Sequence, residues 1–151
     1  MKRSGSDQGS QAVEISAWLV GALFVAELLD YISPIALDQF GIVPRTVPGL
    51  LGVILSPLLH LNTAHLLANA VPLFVLLILL FADRGYHPER TLALVWLVSG
   101  LGTWLIGRTD TIHIGASSIV YGLVAYLIAA GWWMRSWRSL LVAILVLIFY
   151  G

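Results

Sequence analysis

Cysteine is absent from the 151 residues, which excludes disulfides and thiolate metal sites and leaves no redox compartment to infer. Charge is scarce. Asp, Glu, Lys and Arg make up 11% of the chain, against about 25% in an ordinary soluble domain. Eight basic residues balance eight acidic ones, so no basic face is on offer and nucleic acid is set aside as a partner. HExxH is also missing, and His60 and His65 lack the i, i+4 spacing of a helical zinc pair, so no metal site or cofactor is expected. What the chain does have is apolar side chains, at 59% of its residues. That composition reads as one all-α, multi-pass transmembrane domain in a lipid bilayer.

A bilayer core of ~30 Å takes about 20 mostly apolar residues per helix. Candidate spans are Ile15–Ile32, Thr63–Phe81, Thr91–Ile106, Gly115–Met134 and Ser139–Gly151. Residues 1–12, polar and rich in Gly and Ser, read as a disordered cytoplasmic tail, and residues 13–151 as the transmembrane domain. The tail is not expected to be a cleaved leader, because the apolar run behind it has no small-residue cleavage site at its end. Between the first two spans, Pro34, Pro44, Pro48 and Pro57 break any continuous helix, and the segment is expected to be a membrane-associated loop. With the N-terminus inside, Lys2, Arg3, Arg84, Arg90, Arg135 and Arg138 fall on the cytoplasmic side and only Arg45 and Arg108 outside. Trp132, Trp133 and Trp137 then form a cytoplasmic aromatic belt. The last span has 13 residues, about 20 Å at ~1.5 Å each, too short to cross. Buried carbonyls without partners are costly in hydrocarbon, so a C-terminally incomplete domain is expected.

The second and fourth spans both start at the outer face, which puts His65 and Asn69 level with Ser117. His65 and Asn69 are four apart and share a helix face. Ser117 lies in the first turn of its helix, among free backbone N–H groups and the positive end of the helix dipole. Such groups can stabilise the oxyanion formed when a serine attacks a carbonyl, and side-chain donors from His65 and Asn69 can complete the hole. Gly115, Ser118 and Gly122 are small enough for a neighbouring helix to come close. Each has a plainer reading: the serine bonding one turn back, the His and Asn as interhelical glue, and Gly100, Gly102 and Gly107 as packing contacts. His60 precedes the regular helix and is expected to tie the loop down, while His87 beside Pro88 is expected to be solvated. Glu27 and Asp30 receive no role.

"HLNTAHLLAN" has the form H-x4-H-x3-N and "GASSIVYG" is close to G-x-S-G-x3-G. In that order on alternate spans, they resemble the rhomboid intramembrane serine proteases, over roughly Leu50 to Gly151. The resemblance implies a bundle of six core spans, about five of them present here. It also implies a serine–histidine dyad that cleaves transmembrane proteins near the outer membrane boundary. Ser117 would be the nucleophile, His65 and Asn69 oxyanion donors, and His60 the supporting first histidine of the motif. Membrane-anchored proteins with easily unwound helix ends would be the substrates, in the plasma membrane of a prokaryote.

Two departures stand out. Ser118 occupies the position of the glycine after the nucleophile. The family's catalytic histidine belongs to a sixth span, whereas His60, His65, His87 and His113 all precede Ser117. A serine hydroxyl needs an adjacent base. This stretch alone is therefore expected to be inactive or nearly so, unless His113 or His65 substitutes. The alternatives are a non-catalytic rhomboid-like protein that binds transmembrane helices and, less well supported, a small transporter or channel. The latter would want charged groups at mid-membrane, which the later spans lack.

Overall fold

The computed structural model describes residues 5–150, which form α1 (Gly5–Ile32), α2 (Gly49–Leu55), α3 (Thr63–Ala82), α4 (Pro88–Ile106), α5 (Ser117–Trp133) and α6 (Trp137–Tyr150). No strand occurs among the described residues; an isolated antiparallel bridge joins Ile42 to His113, each N–H donating to the other's carbonyl at 2.9 Å. The architecture is an all-helical bundle.

The polar start of the chain differs from expectation. Residues 1–4 lie outside the described residues, but from Gly5 onward the segment is helical and continuous with the first span. The helix is held at its far end by contacts that propensity does not show. Ala12 and Ser16 are buried, the Ser16 hydroxyl donates to the Ala12 carbonyl at 2.7 Å, and the Arg84 guanidinium donates to Gln11 Oε1 at 3.4 Å. Asp7 in the first turn complements the helix dipole.

The proline-broken loop is built from short helical pieces. Asp30 Oδ1 accepts the N–H of Leu37 at 2.6 Å, fixing a 3-10 turn at Leu37–Phe40. Pro48 leads into α2, and Pro57 sits in a second 3-10 turn, Ser56–Leu58. Gly52 packs on the backbone of Gly41, and Gly100 of α4 packs on Val53. Trp96 and Trp104 donate their indole N–H groups to carbonyls of this loop, at Val53 (3.2 Å) and Thr46 (2.8 Å). In return the Arg45 guanidinium donates to Leu105 and Gly107 carbonyls at 2.8 and 3.0 Å, a cation on the negative end of α4.

The core is leucine-rich: Leu66, Leu73, Leu76 and Leu80 of α3 meet Leu123 and Leu127 of α5, with Val20 and Leu23 of α1 at the edge. α1 lies along α3, α5 along α6, and α4 along α5. Gly122 allows the last of these: a Cβ there would stand 2.6 Å from Val95 Cγ1. Gly102, by contrast, faces open space and is not a packing contact. One polar cluster is buried at the α3–α4 turn, where Tyr86 donates to Ser139 Oγ at 2.8 Å and its carbonyl accepts from Thr91 (2.7 Å) and Tyr126 (3.0 Å). These partners satisfy groups that would otherwise be costly to bury.

Asp7–Ile32 and Thr63–Ala82 are long and apolar enough to cross a membrane, and α5 and α6 are shorter apolar helices. Large apolar side chains, among them Trp18, Leu28, Val98 and Phe149, point outward from the bundle. Such an apolar exterior fits contact with lipid. Trp132, Trp133 and Trp137 are exposed around the α5–α6 turn. α6 begins at Trp137, two residues before the expected start, because the Ser136 carbonyl accepts the Leu140 N–H at 3.1 Å and opens the helix earlier.

Candidate active site

α3 begins at a capped turn. Asn62, in extended conformation, accepts the His65 N–H on its side-chain oxygen at 2.9 Å, and its carbonyl accepts the Leu66 N–H at 2.9 Å. This fixes His65 in the first turn and Asn69 one turn further in. Asn69 is 0% exposed, and its Nδ2 donates to the His65 carbonyl at 2.9 Å. Pro72, inside α3, has no N–H to give, so the Ala68 carbonyl one turn before it lacks that helical bond.

The segment before α5 is tied to the opposite loop. Gly115 donates its N–H to the Ser56 carbonyl at 2.8 Å, and Ala116 donates its N–H to His60 Nε2 at 3.4 Å. Gly115 has φ +102°, a conformation open mainly to glycine. It also lies directly on the α3 side chains: a Cβ there would be 2.8 Å from His65 Cε1, 2.9 Å from His65 Nε2 and 3.5 Å from Asn69 Nδ2. The structure therefore brings together His60, His65, Asn69 and Gly115 at the entry to the turn that carries Ser117.

Ser117 is half-buried, the first residue of α5, beside helix N–H groups that have no intrahelical acceptor. It lines a cleft of about 210 Å³ together with Ile42, Ser56, His113, Ser118 and Tyr121. Its hydroxyl makes no hydrogen bond to a histidine among the described residues. The ring of His113 is engaged elsewhere, with Nε2 3.0 Å from Thr111 Oγ1 and 3.4 Å from the Arg108 carbonyl. His65 Nδ1 accepts a long hydrogen bond from Leu61 N–H at 3.5 Å. Ser118 lies on the same cleft, and Gly122 one turn on meets α4.

His60 is 3% exposed and lies edge-on to His65, with ring centres 5.2 Å apart. Burial first, and the neighbouring His65 second, hold its imidazole below its ordinary value, at about 4. It is therefore neutral at pH 7, as an acceptor of the Ala116 N–H must be. His87 is exposed at the start of α4.

Two tyrosines were not singled out from the sequence. Tyr150 of α6 donates to Asn69 Oδ1 at 2.6 Å, and its ring centre lies 5.4 Å from that of Tyr121. Tyr121 could have been found, being one turn beyond Ser117 on the same face. Tyr150 carries no local signal, because its partner is 81 positions away.

The Rhomboid domain family profile matches residues 48–151, which includes His60, His65, Asn69, Gly115 and Ser117. Uncharacterised proteins of Mycobacterium tuberculosis and Mycobacterium bovis are each 37% identical over 156 residues, covering 94% of this chain and 65% of the relative. An uncharacterised protein of Mycobacterium leprae is 34% identical over 149 residues, covering 89% of this chain and 59% of that protein. The chain thus spans less than two thirds of the length of these relatives. No solved structure matches it. The match over more than half of the chain, on an all-helical bundle with two helices long and apolar enough to cross a membrane, makes this protein a member of the rhomboid family of membrane proteins.

Proposed function

We propose that the whole protein is an intramembrane serine endopeptidase in which Ser117 attacks a peptide carbonyl. The observation that carries this reading is the close seat of Gly115 on His65 and Asn69, which sets two polar side chains of α3 against the turn bearing Ser117. The Leu61 N–H donates to His65 Nδ1 at 3.5 Å, a bond that favours the tautomer with its proton on Nε2, the nitrogen turned towards Gly115. His65 is then a donor to an oxyanion and a poor candidate for the base. Asn69 and the N–H groups at the start of α5 supply further donors.

Proton removal from Ser117 falls to the histidine that the family resemblance puts on a sixth span. His113 is a weak substitute, since its Nε2 is already shared by Thr111 and Arg108. In the dyad mechanism the histidine takes the Ser117 proton, the serine oxygen forms an ester with the substrate carbonyl, and the amine leaves with a proton. Water then releases the acid and regenerates Ser117. The groove between α3 and α6, about 850 Å³ and lined by Leu67, Val71, Val75, Leu145, Val146 and Phe149, suits an apolar transmembrane substrate. The balance of Arg and Lys puts the N-terminus in the cytoplasm, and mycobacterial relatives fit a prokaryotic plasma membrane.

The test is cleavage of a reporter transmembrane segment by the protein expressed from its complete coding region. Cleavage that disappears in Ser117→Ala supports the protease. A second reading, a non-catalytic binder of transmembrane helices, draws on the same groove and on a Ser117 hydroxyl that has no histidine partner among the described residues. It predicts retention of the reporter without cleavage, unchanged by Ser117→Ala.

A further inference from the structure

The geometry points to Tyr150 as a positioning residue that holds the Asn69 amide in the orientation needed by an oxyanion donor. The inference rests on the proposed protease reading and adds to it a residue of α6.

The argument starts from what each atom can do. Asn69 Nδ2 lies 2.9 Å from the His65 carbonyl, which can only accept, so the NH2 group must face it. Asn69 Oδ1 is then turned the other way, where the Tyr150 hydroxyl donates to it at 2.6 Å. One bond constrains the nitrogen and the other the oxygen, so the amide has a single favoured flip state. The first Nδ2 hydrogen is used by His65. The second has no hydrogen-bond partner among the described residues, and Nδ2 is 3.5 Å from the place a Gly115 Cβ would take. That N–H is the one left for an oxyanion at the turn that Gly115 opens, which is the use proposed for it.

Tyr150 is itself fixed from two sides. Its ring packs at 5.4 Å and 48° against Tyr121, which follows Ser117 by one turn, while its hydroxyl reaches α3. A tyrosine is suited to this task because the ring sets its position and the hydroxyl gives the directional bond. Asn69 is wholly buried, so removing that hydroxyl leaves Oδ1 with no replacement partner nearby, and the amide gains freedom to rotate.

Tyr150→Phe keeps the ring and removes the hydroxyl, and two readouts decide the matter. In the protein from the complete coding region, labelled with 15N-asparagine in detergent, the side-chain NH2 pairs of Asn62 and Asn69 are assigned by their loss in Asn62→Ala and Asn69→Ala and then followed. Tyr150→Phe is expected to shift the Asn69 pair and speed its exchange with solvent, with the Asn62 pair unmoved. An unchanged Asn69 pair, or equal changes at both, overturns the proposal. In the protein from the complete coding region, Tyr150→Phe is expected to lower kcat for the reporter roughly tenfold with KM unchanged, a partial loss of one donor. In an Asn69→Ala background the same change is expected to have no effect; an equal loss there means Tyr150 acts by packing and overturns the proposal. Reporter cleavage that does not depend on Ser117 overturns the protease reading itself, while the NMR arm still decides the bond between Tyr150 and Asn69.

Discussion

Gly115 sits against His65 so closely that a Cβ on the glycine would stand 2.8 Å from the imidazole Cε1 and 2.9 Å from Nε2. Both its positive φ and the contact forbid a larger residue. Gly115→Ala is expected to displace His65 and strain the backbone by about 1–3 kcal/mol. Thermal unfolding in detergent should show the lowered stability, and reporter cleavage should fall further than stability alone explains. An alanine variant with wild-type cleavage would contradict the close seat.

Ser117 and Asn69 should differ in the severity of their loss. Ser117→Ala removes the nucleophile and is expected to abolish cleavage, with the fold intact by thermal unfolding. Asn69→Ala takes away one oxyanion donor and is expected to lower kcat by ~10²–10³. Equal, small losses in both variants would mean that neither takes part in the chemistry.

His60 couples stability to pH. Its value in the folded chain is lowered to about 4, from an ordinary value near 6.5, by burial and by His65. The unfolded chain therefore takes up a proton first as pH falls. The neutral, buried ring contributes fully above about pH 6.5, and the contribution is lost progressively between there and about pH 4. Melting temperatures in detergent at pH 7.5 and pH 5 should differ less for His60→Gln than for the wild type. An equal difference would remove His60 as the cause.

Gly122 sets the approach of α4 to α5, and a larger side chain there would run into Val95. Gly122→Leu is expected to destabilise the bundle by about 1–3 kcal/mol through overpacking. Gly102→Leu, facing open space, should be nearly neutral by the same unfolding measurement.

Much of this arrangement could be read in the sequence because it depends on local pattern. Apolar runs at 63–81 and 115–134 mark α3 and α5, and the four-residue step from His65 to Asn69 puts both on one face. The elements that the sequence hid depend on contacts made across the fold. Residues 5–12 have the composition of a tail, yet join α1 because Ala12 and Ser16 find a buried seat and Gln11 a partner in Arg84. α2 appears inside a proline-broken loop because Trp96 and Trp104 of α4 satisfy carbonyls that would otherwise be stranded. Tyr150 looks like one more aromatic at the end of an apolar run until α6 folds back onto Asn69. Gly102, one of three glycines along α4 and its end, was indistinguishable from Gly100 by residue type alone, and only the partner helix separates their roles.

The central claim is that Ser117 is an activated nucleophile, and covalent capture tests it most directly. The protein from the complete coding region, in detergent, would be treated with a fluorophosphonate and the adduct located by peptide mass spectrometry. The account predicts one adduct, on Ser117, that is absent from the Ser117→Ala variant. An adduct on Ser118, or no adduct from a folded protein, would contradict it.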